Sequence, residues 1–267
     1  MSVKFSIIVV SLNAGKKLDL TLKSICEQTY KGYEVIIKDG GSTDGSLECI
    51  NSYPSMNINL LTSKDSGIYD AMNQALECAT GDYIYYLNCG DVFYNKDVLH
   101  KISSELDKSL DIMILYGNIF DLMTNNLVSS NPKMNEFGCY RNVPCHQACF
   151  YKRDLIIEHP FETDFKVRAD YEQFLWCFLY KNAYAQYIDE IVASYEGGGF
   201  SETKEHLRLS KLEHEIITRR YMKKTSILKY KLILILSLAP LRTYMSHNPG
   251  TAKIYNAFKS LLYKVKR

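Results

Sequence analysis

Short apolar runs alternate with polar loops and amphipathic segments through the first third of the chain. We predict strands where β-branched or aromatic runs end in polar turns, and helices where apolar residues recur every three or four positions. The predicted strands cover residues 5–10, 34–38, 58–62 and 83–87, and the predicted helices cover residues 18–29, 47–52 and 68–79. This alternation predicts an α/β fold with a mainly parallel sheet flanked by helices and right-handed connections.

The pattern is less regular after residue 110. It predicts a strand at 111–116, a hairpin at 117–130, a strand at 148–151 and an apolar helix at 174–180. Asp170 then lies at or near the amino end of the last helix. A carboxylate is favoured there as a cap whether or not it takes part in chemistry, so its position alone leaves both roles open.

A basic and apolar extension at 201–267 follows the predicted domain at 1–200. Glycines 197–199 predict either a flexible lid or an ordinary turn, and a helix is expected at 202–222. No acidic residue occurs after Glu215, whereas Lys and Arg recur to the end. The uncharged run at 232–241 is shorter than the roughly 20 residues that span a bilayer. We therefore expect either a helix in the interface of an anionic membrane or a helix packed on the domain or on a second subunit of a homodimer.

Composition narrows the class of protein. With 267 residues, 46% hydrophobic and 23% charged, the chain is long and apolar enough for a globular domain with a substantial core. A net charge of +2 provides no overall field for binding nucleic acid. The chain opens without a charged leader and cleavage site, so we expect a cytoplasmic protein, peripheral to the inner face of the membrane.

The cysteines are scattered, which predicts reduced thiols more than a disulfide framework. Cys139, Cys145, His146 and Cys149 are near one another in sequence and could in principle bind zinc. Their spacing matches none of the usual paired zinc motifs, so a zinc site is not favoured.

Polar residues follow the predicted strands at their carboxyl ends. In open α/β sheets such ends meet at one edge, where ligands bind in a crevice. Each of these residues alone could equally be a turn or cap residue, but together they predict a nucleotide site. They are Ser11, Asn13, Asp39, Ser42, Asp65 and Asp91.

The loop Asp39-Gly-Gly-Ser-Thr-Asp-Gly-Ser resembles a signature loop of the family 2 glycosyltransferases. Three other motifs agree in order: the strand and loop at 5–13, the sequence Asp65-Ser-Gly-Ile-Tyr-Asp-Ala-Met-Asn, and Asn88-Cys-Gly-Asp at the place of the family's Asp-x-Asp metal motif. The resemblance covers about residues 3–200. It implies the GT-A fold and an inverting enzyme that uses a nucleotide-diphosphate sugar.

The resemblance also implies a donor site. Asp39 would hold the base, Ser42 would lie beside the ribose and diphosphate, and Asp65 would contact the base or ribose. Asn88 stands where many relatives carry an acid that touches the ribose, so an amide would make that contact here. The complete set of implied donor residues is Ser11, Asn13, Asp39, Ser42, Asp65, Asn88 and Gly90.

The chemistry implied by the resemblance is divided between two aspartates. Asp91 would ligate Mn²⁺ or Mg²⁺, and Asp170 would be the general base that takes a proton from the acceptor hydroxyl. Ala169 stands where relatives have a glutamate, which leaves Glu172 as a weaker rival of Asp170 for the role of base, or as a residue that contacts the acceptor or the diphosphate. His146 either helps to bind the diphosphate or acceptor, or is an ordinary core histidine.

We therefore expect a transferase that moves one sugar, from a UDP-sugar in particular, to a glycan or lipid-linked acceptor in surface polysaccharide synthesis. The Gln-x-x-Arg-Trp motif of processive synthases is absent from the sequence. One alternative is a nucleotidyltransferase, which should carry a basic, glycine-rich loop that residues 11–17 match poorly. The other is a nucleotide-sugar binding protein without transferase activity.

Overall fold

A computed structural model describes residues 3–196 and 204–237 of the chain. The strands are β1 (Phe5–Ser11), β2 (Tyr33–Asp39), β3 (Ile58–Thr62), β4 (Tyr83–Tyr86), β5 (Val92–Phe93), β6 (Ile114–Asp121), β7 (Asn126–Val128), β8 (Cys149–Lys152) and β9 (Ala185–Tyr195). The helices are α1 (Lys16–Cys26), α2 (Ile68–Leu76), α3 (Val98–Leu106), α4 (Glu136–Arg141), α5 (Arg153–Glu158), α6 (Ala169–Leu175), α7 (Lys204–Tyr221) and α8 (Lys224–Leu236). Short 3-10 turns cover Ser46–Ser52 and His146–Ala148, and a π-helical turn, Trp176–Tyr180, continues α6.

The strands form one mixed sheet in the order β3-β2-β1-β4-β8-β6-β9-β5, with β7 paired to β6. The first four strands pair in parallel, whereas β8 runs antiparallel to both β4 and β6. The predicted α/β sheet flanked by helices is therefore confirmed. The parallel order applies to its first half, and the second half is mixed.

The predicted elements of the first half agree with the structure to within a few residues. No element was predicted at residues 92–106, where the structure has β5 and α3, and the later predictions missed α4, α5 and β9, which is the longest of the described strands. Charged Asp189 and Glu190 interrupt the apolar pattern of β9, and its pairing with β6 contains register shifts. The irregular pairing explains why neither a strict alternation nor an apolar run marks this strand.

The core lies on both faces of β4, which explains its nearly uninterrupted aromatic sequence. Tyr85 stacks between Phe93 and Phe150 at ring-centroid distances of 5.1 Å and 4.4 Å. On the other face Tyr86 packs against Phe161 at 5.1 Å. The strand is thus held rigidly where it leads into the turn at residues 88–91.

The chain separates into two compact units, residues 1–217 and 218–267. The first contains the sheet and most of α7, and the described part of the second contains the end of α7 and α8. The domain boundary at residue 200 stays a prediction. Within the described segments, no helix has the length and hydropathy needed to cross a membrane. The glycine joint at 197–199 and the end of the predicted apolar segment, 238–241, lie outside the described residues.

Candidate active site

The loop after β2 is organised by the buried carboxylate of Asp39. One oxygen accepts hydrogen bonds from the backbone N–H groups of Gly41 and Ser42, each at 2.8 Å, and the other accepts from the Ser42 hydroxyl. Ser42 Oγ also accepts from Asn13 N at 2.8 Å, while Asn13 Oδ1 accepts from Thr43 N at 2.9 Å. The structure therefore brings together three of the predicted site residues, Asp39, Asn13 and Ser42, at the carboxyl ends of β1 and β2.

Lys38, which was not predicted from the sequence, contacts two of the candidate site residues. Its side chain is fully buried, and Nζ donates to Asp65 Oδ2 at 3.0 Å and to the carbonyl oxygens of Ser63 and Asp39 at 2.6 Å and 3.1 Å. Asp65 Oδ1 in turn accepts from Gly67 N at 3.2 Å. The lysine therefore ties the loops after β2 and β3 together. A lysine inside an otherwise apolar strand was the signal that could have revealed it.

The turn after β4 carries Asp91, which is only 4% exposed. Its Oδ2 accepts from Gln147 Nε2 at 2.8 Å, and its Oδ1 accepts from the Glu196 backbone N–H at 3.0 Å. Burial raises the pKa of the Asp91 carboxyl above its usual range, although these two hydrogen bonds oppose the shift. The 3-10 turn before β8 and the residue that follows β9 thus both contact the turn after β4 at Asp91.

Gly90 has a backbone reason to be glycine. Its φ is +100°, and a Cβ there would meet the Glu196 carboxylate at 2.6 Å. Glu196 forms a 2.6 Å ion pair with Lys17 at the start of α1. Thr21 fixes the turn from the same helix, since its hydroxyl oxygen accepts from Gly90 N at 3.0 Å and donates to the Asp91 carbonyl at 2.8 Å.

The chemistry of Asp91 fits a hard divalent cation, which takes oxygen ligands. Each carboxylate oxygen accepts one N–H from the protein, and a carboxylate oxygen can accept further contacts. In the described part of the chain, the group of three His, Cys, Asp or Glu side chains close enough to share an ion is His159, Glu162 and Glu172, and it does not include Asp91. A cation at Asp91 would therefore take most of its ligands from a bound diphosphate and water.

His146 connects the turn after β4 to Asp170. Its Nε2 lies 3.2 Å from Asn88 Nδ2, and its Nδ1 lies 3.4 Å from Asp170 Oδ2. Asp170 Oδ1 accepts from Tyr171 N at 2.9 Å and contacts the Tyr69 hydroxyl at 3.2 Å. Burial by itself would raise the pKa of Asp170, but the contact with His146, the hydrogen bond from the Tyr171 backbone and the nearby charge of Arg168 together outweigh burial and lower the pKa. The carboxylate is therefore ionised at neutral pH.

The position of Asp170 depends on residues of α7. The buried Glu213 carboxylate accepts from three successive backbone N–H groups, those of Lys166, Val167 and Arg168, at 2.8–3.1 Å. Arg168 Nε donates to the Ser210 carbonyl and hydroxyl oxygens at 2.9 Å and 2.7 Å. The loop that leads into α6 is thus fixed by a helix more than 40 residues away in sequence, a contact that no local pattern announces.

Glu172, the predicted rival on the acceptor side, lies in a different environment. Its side chain is fully buried, and its oxygens contact His159 Nε2 at 2.9 Å and 3.2 Å. His159 also stacks on Trp176 at 4.4 Å. The contacts of Glu172 join the loop after α5 to α6, and its role at an acceptor stays a prediction.

All eight cysteines are free thiols. In the cluster considered for zinc, Cys145 Sγ contacts Gln147 Oε1 at 2.6 Å and Cys149 Sγ contacts the Cys145 carbonyl at 3.3 Å. Burial raises the pKa of Cys139 and of Cys145 to about 12, so both stay protonated near neutral pH. The contacts of His146 go to Asn88 and Asp170.

A cleft of about 580 Å³ opens at the carboxyl edge of the parallel strands. Ser11 and Asp65 line it together with Tyr69, which also contacts Asp170. Its volume lies in the range of small-molecule and cofactor sites. The other lining residues are Val10, Leu12, Ser66, Gly67, Ile68, Asp70, Ala71, Thr163, Phe165 and Lys166.

Comparison with known proteins gives a family match over residues 6–155, to the model described as glycosyl transferase family 2. A PGL/p-HBAD biosynthesis glycosyltransferase of Mycobacterium bovis is 34% identical over 204 residues, which are 74% of this chain and 79% of that protein. The Escherichia coli enzyme WfgD, named UDP-Glc:alpha-D-GlcNAc-diphosphoundecaprenol beta-1,3-glucosyltransferase, is 27% identical over 181 residues, which are 66% of this chain and 70% of that one.

Solved structures share the fold. S. aureus TarS 1–349 in complex with UDP-GlcNAc aligns with a TM-score of 0.69 and 19% identity over 92% of this chain and 74% of that chain. In another structure of TarS 1–349 the alignment covers 72% of this chain and 60% of that one. The mannosyltransferase PcManGT of Pyrobaculum calidifontis, in complex with GDP-Man and Mn²⁺, aligns with a TM-score of 0.68 and 17% identity. The alignment covers 98% of this chain and 81% of that one.

Proposed function

Because this chain belongs to glycosyl transferase family 2 and is a glycosyltransferase, we propose that it is an inverting enzyme that moves a single sugar from a UDP-sugar to a glycan or lipid-linked acceptor. One observation carries the proposal. Asp170 and the Asn88–Asp91 turn are about 80 residues apart in sequence, yet His146 contacts both Asn88 and Asp170. A candidate base and a candidate donor turn therefore share one site.

The donor would bind at the carboxyl edge of the parallel strands. Asp39 and Asn13 hold the loop whose backbone faces the nucleotide, and Ser42 lies between them. Asp65 is fixed by Lys38 at the cleft wall, and Ser11 lines the same cleft. WfgD is named for UDP-Glc, the TarS structure contains UDP-GlcNAc, and the PcManGT structure contains GDP-Man. All three support a nucleotide-sugar donor, and the first two favour a UDP-sugar.

Asp170 is proposed as the general base. An inverting transfer needs one carboxylate that takes the proton of the acceptor hydroxyl as its oxygen attacks the anomeric carbon from the face opposite the leaving diphosphate. The lowered pKa keeps Asp170 ionised, and its side chain is 27% exposed, so an acceptor hydroxyl can reach it. His146, Tyr69 and the Tyr171 backbone orient the carboxylate.

Asp91 is proposed to hold Mn²⁺ or Mg²⁺ against the diphosphate. When bound, the cation would neutralise the charge that develops on the leaving diphosphate. The residues of this chain provide the carboxylate at the cation and fix it with Gln147 and the backbone of Glu196. The Mn²⁺ in the PcManGT complex supports a divalent metal without identifying which one acts here.

We propose that the enzyme meets its acceptor at a membrane surface, in the assembly of a glycan. In α8 the apolar side chains Leu228, Leu232 and Ile235 are 62%, 51% and 63% exposed. Lys229 and Lys231 are exposed between them. An anionic membrane would accept both the apolar and the basic groups of such a helix. The lipid-linked acceptor in the name of WfgD supports the same placement.

The donor assignment is tested by calorimetric titration with UDP-glucose, UDP-GlcNAc and GDP-mannose, each with and without Mn²⁺. We expect UDP-sugar binding that depends on the metal in the wild type and is lost in Asp91→Ala. Lys101→Ala, which removes an ion pair between Lys101 of α3 and Glu190 of β9, is the control and should bind normally. Metal-independent binding, or equal binding by Asp91→Ala, would refute the role of Asp91.

The membrane assignment is tested by flotation with phosphatidylcholine vesicles that contain or lack phosphatidylglycerol. A chain that ends near Thr225 should lose its binding to the anionic vesicles while the full chain binds them. Equal flotation of the two chains would favour the packed-helix interpretation.

A further inference from the structure

Three potential metal ligands meet between the loop after α5 and the first turn of α6. They are His159, Glu162 and Glu172, called here the α6 cluster, and one ligand atom of each lies within 4.8 Å of those of the other two. In the part of the chain that the structure describes, no residue of the turn after β4 belongs to this group. The α6 cluster is therefore separate from the cation proposed at Asp91.

The spacing of the α6 cluster fits a single ion. Zn²⁺ binds imidazole nitrogen and carboxylate oxygen at about 2.0–2.2 Å, so the ligand atoms around one zinc lie about 3–4 Å from each other. His159 Nε2 lies 2.9 Å from Glu172 Oε2, which is close to that spacing. The Glu162 oxygen lies no more than 4.8 Å from the other two ligand atoms, so a movement of about 1 Å completes the set.

Two of the three ligands are fixed by their surroundings. Glu172 is fully buried, and the His159 imidazole stacks on the Trp176 ring with a centroid distance of 4.4 Å and an angle of 9°. Gln173 Nε2 also donates to the His159 carbonyl oxygen at 3.0 Å. Side chains that already hold one position lose little freedom when they bind an ion, which favours affinity.

Glu162 provides the movable third ligand. The backbone beside it is held to α2, because Asn73 Nδ2 donates to the Phe161 carbonyl at 2.8 Å and Asn73 Oδ1 accepts from Phe161 N at 2.9 Å. The Glu162 side chain is only partly buried, so it can turn towards the other two ligands. A water molecule can occupy the fourth position, as it does at zinc sites with three protein ligands.

The ligand types determine which class of metal fits. Two carboxylates and a neutral imidazole carry a charge of −2, which a divalent cation balances, and a cation offsets the cost of burying the Glu172 carboxylate. Imidazole nitrogen suits Zn²⁺ and Co²⁺, whereas Mg²⁺ and Ca²⁺ prefer ligand sets made of oxygen alone. The α6 cluster should therefore select a different metal from the one proposed at Asp91.

We propose that the α6 cluster binds a transition-metal dication of the zinc class, which joins the loop after α5 to the helix that carries Asp170. Glu172 lies two positions after Asp170 in α6, so the ion would hold the first turn of that helix in place. Asp170 itself is not a member of the cluster. The inference does not depend on the proposed function, because it requires neither a nucleotide nor an acceptor.

Co²⁺ is the probe for this site, because Co²⁺ with four or five ligands absorbs visible light far more strongly than the hexa-aqua ion. Untagged full-length protein is freed of metal by dialysis against EDTA and titrated with Co²⁺. We expect intense visible bands that saturate at one ion per chain, disappear when Zn²⁺ is added and persist in excess Mg²⁺. The bands should also persist in Asp91→Ala, which separates this site from the cation at the turn after β4.

Glu162→Gln removes the movable ligand. Because even residues that only support a ligand change metal affinity by about 10–100-fold, this variant should bind Co²⁺ about tenfold more weakly or worse. Glu158→Gln is the matched control, since it removes an exposed carboxylate at the end of α5 that pairs with Lys181. It should bind Co²⁺ as the wild type does.

Thermal unfolding with Zn²⁺ gives a second measurement. At about 100 times the wild-type dissociation constant, Zn²⁺ should raise the unfolding midpoint of the wild type and of Glu158→Gln by about 5 °C or more, and that of Glu162→Gln by about half as much or less. Each protein is compared with itself with and without zinc, so a change in the stability of the metal-free chain does not imitate this result. Three outcomes would each overturn the inference: no intense Co²⁺ bands, unchanged bands in Glu162→Gln, or loss of the bands in Asp91→Ala.

Discussion

The two sides of the candidate site are held in different ways. On the donor side, Asp39 accepts hydrogen bonds from Gly41 and Ser42, two and three positions away in sequence. On the base side, Asp170 contacts Tyr69 across 101 positions, and the loop before it is held by Glu213 across 45. The Asp39 carboxylate is therefore held by its own loop, whereas the Asp170 carboxylate and the loop before it depend on contacts with distant segments of the first unit.

This difference has a functional consequence. A locally formed loop can present its backbone groups to a nucleotide with little reorganisation, which favours binding. A base that is assembled from several distant elements can be displaced by changes in any of them, which affects turnover more than binding. Variants on the two sides should therefore separate affinity from rate.

The largest effect is expected at Lys38, which joins two donor-side loops. Lys38→Met should lower the free energy of unfolding by about 3 kcal/mol, because Asp65 and two carbonyl oxygens lose a buried donor. Lys4→Met is the control: its ion pair with Glu34 is exposed on the lysine side, and its loss should cost no more than about 1 kcal/mol. Urea unfolding measures both, and equal midpoints would contradict the structural role of Lys38.

Asp39→Asn tests whether the donor loop controls affinity. A carboxylate accepts with both oxygens, here from the N–H groups of Gly41 and Ser42 on one and from the Ser42 hydroxyl on the other, whereas an amide has a single acceptor oxygen. The loop should therefore rearrange, and UDP affinity should fall about 100-fold, or about 2.7 kcal/mol. Asp44→Asn, on the same loop, should stay within about threefold because Asp44 is exposed. Similar losses in the two variants would mean that the Asp39 network is not specific to donor binding.

Glu213→Gln tests the base side. The amide keeps only one acceptor for three backbone N–H groups, so the loop before α6 should loosen and kcat should fall about tenfold, or about 1.4 kcal/mol. UDP affinity should change by less than about twofold. Glu215→Gln, exposed on the same helix, is the matched control. A loss of UDP affinity as large as the loss of kcat would break the distinction between the two sides.

The smallest effect is expected for Tyr69→Phe. It removes a hydroxyl 3.2 Å from Asp170 and 2.9 Å from the Val167 carbonyl, and should lower kcat by about threefold. Asp170 has a lowered pKa, so activity should persist below the usual aspartate range and be lost as the pH falls through that pKa. Loss of a donor to the carboxylate should move this acidic limb slightly upward. A limb that moves downward would contradict the contact.

The same contrast explains what the sequence could and could not predict. The parallel strands and the Asp39 loop follow from local patterns, and both were predicted. The role of Asp170 was predicted from a family resemblance. The role of His146 was left open, because its partners Asn88 and Asp170 are 58 and 24 positions away in sequence. Lys38 was missed because a strand lysine ordinarily faces solvent, and its buried partners are formed only by the fold.

We propose that Asp170 is the base and that binding of the donor does not depend on its carboxylate. The most direct measurement compares Asp170→Asn with the wild type, using nucleotide release from the nucleotide sugar that binds best and calorimetric titration of UDP with Mn²⁺ on the same preparations. In Asp170→Asn, turnover should fall by about 1,000-fold or more while the UDP dissociation constant stays within about threefold. Turnover near the wild-type rate, or an equal loss of UDP binding, would contradict it.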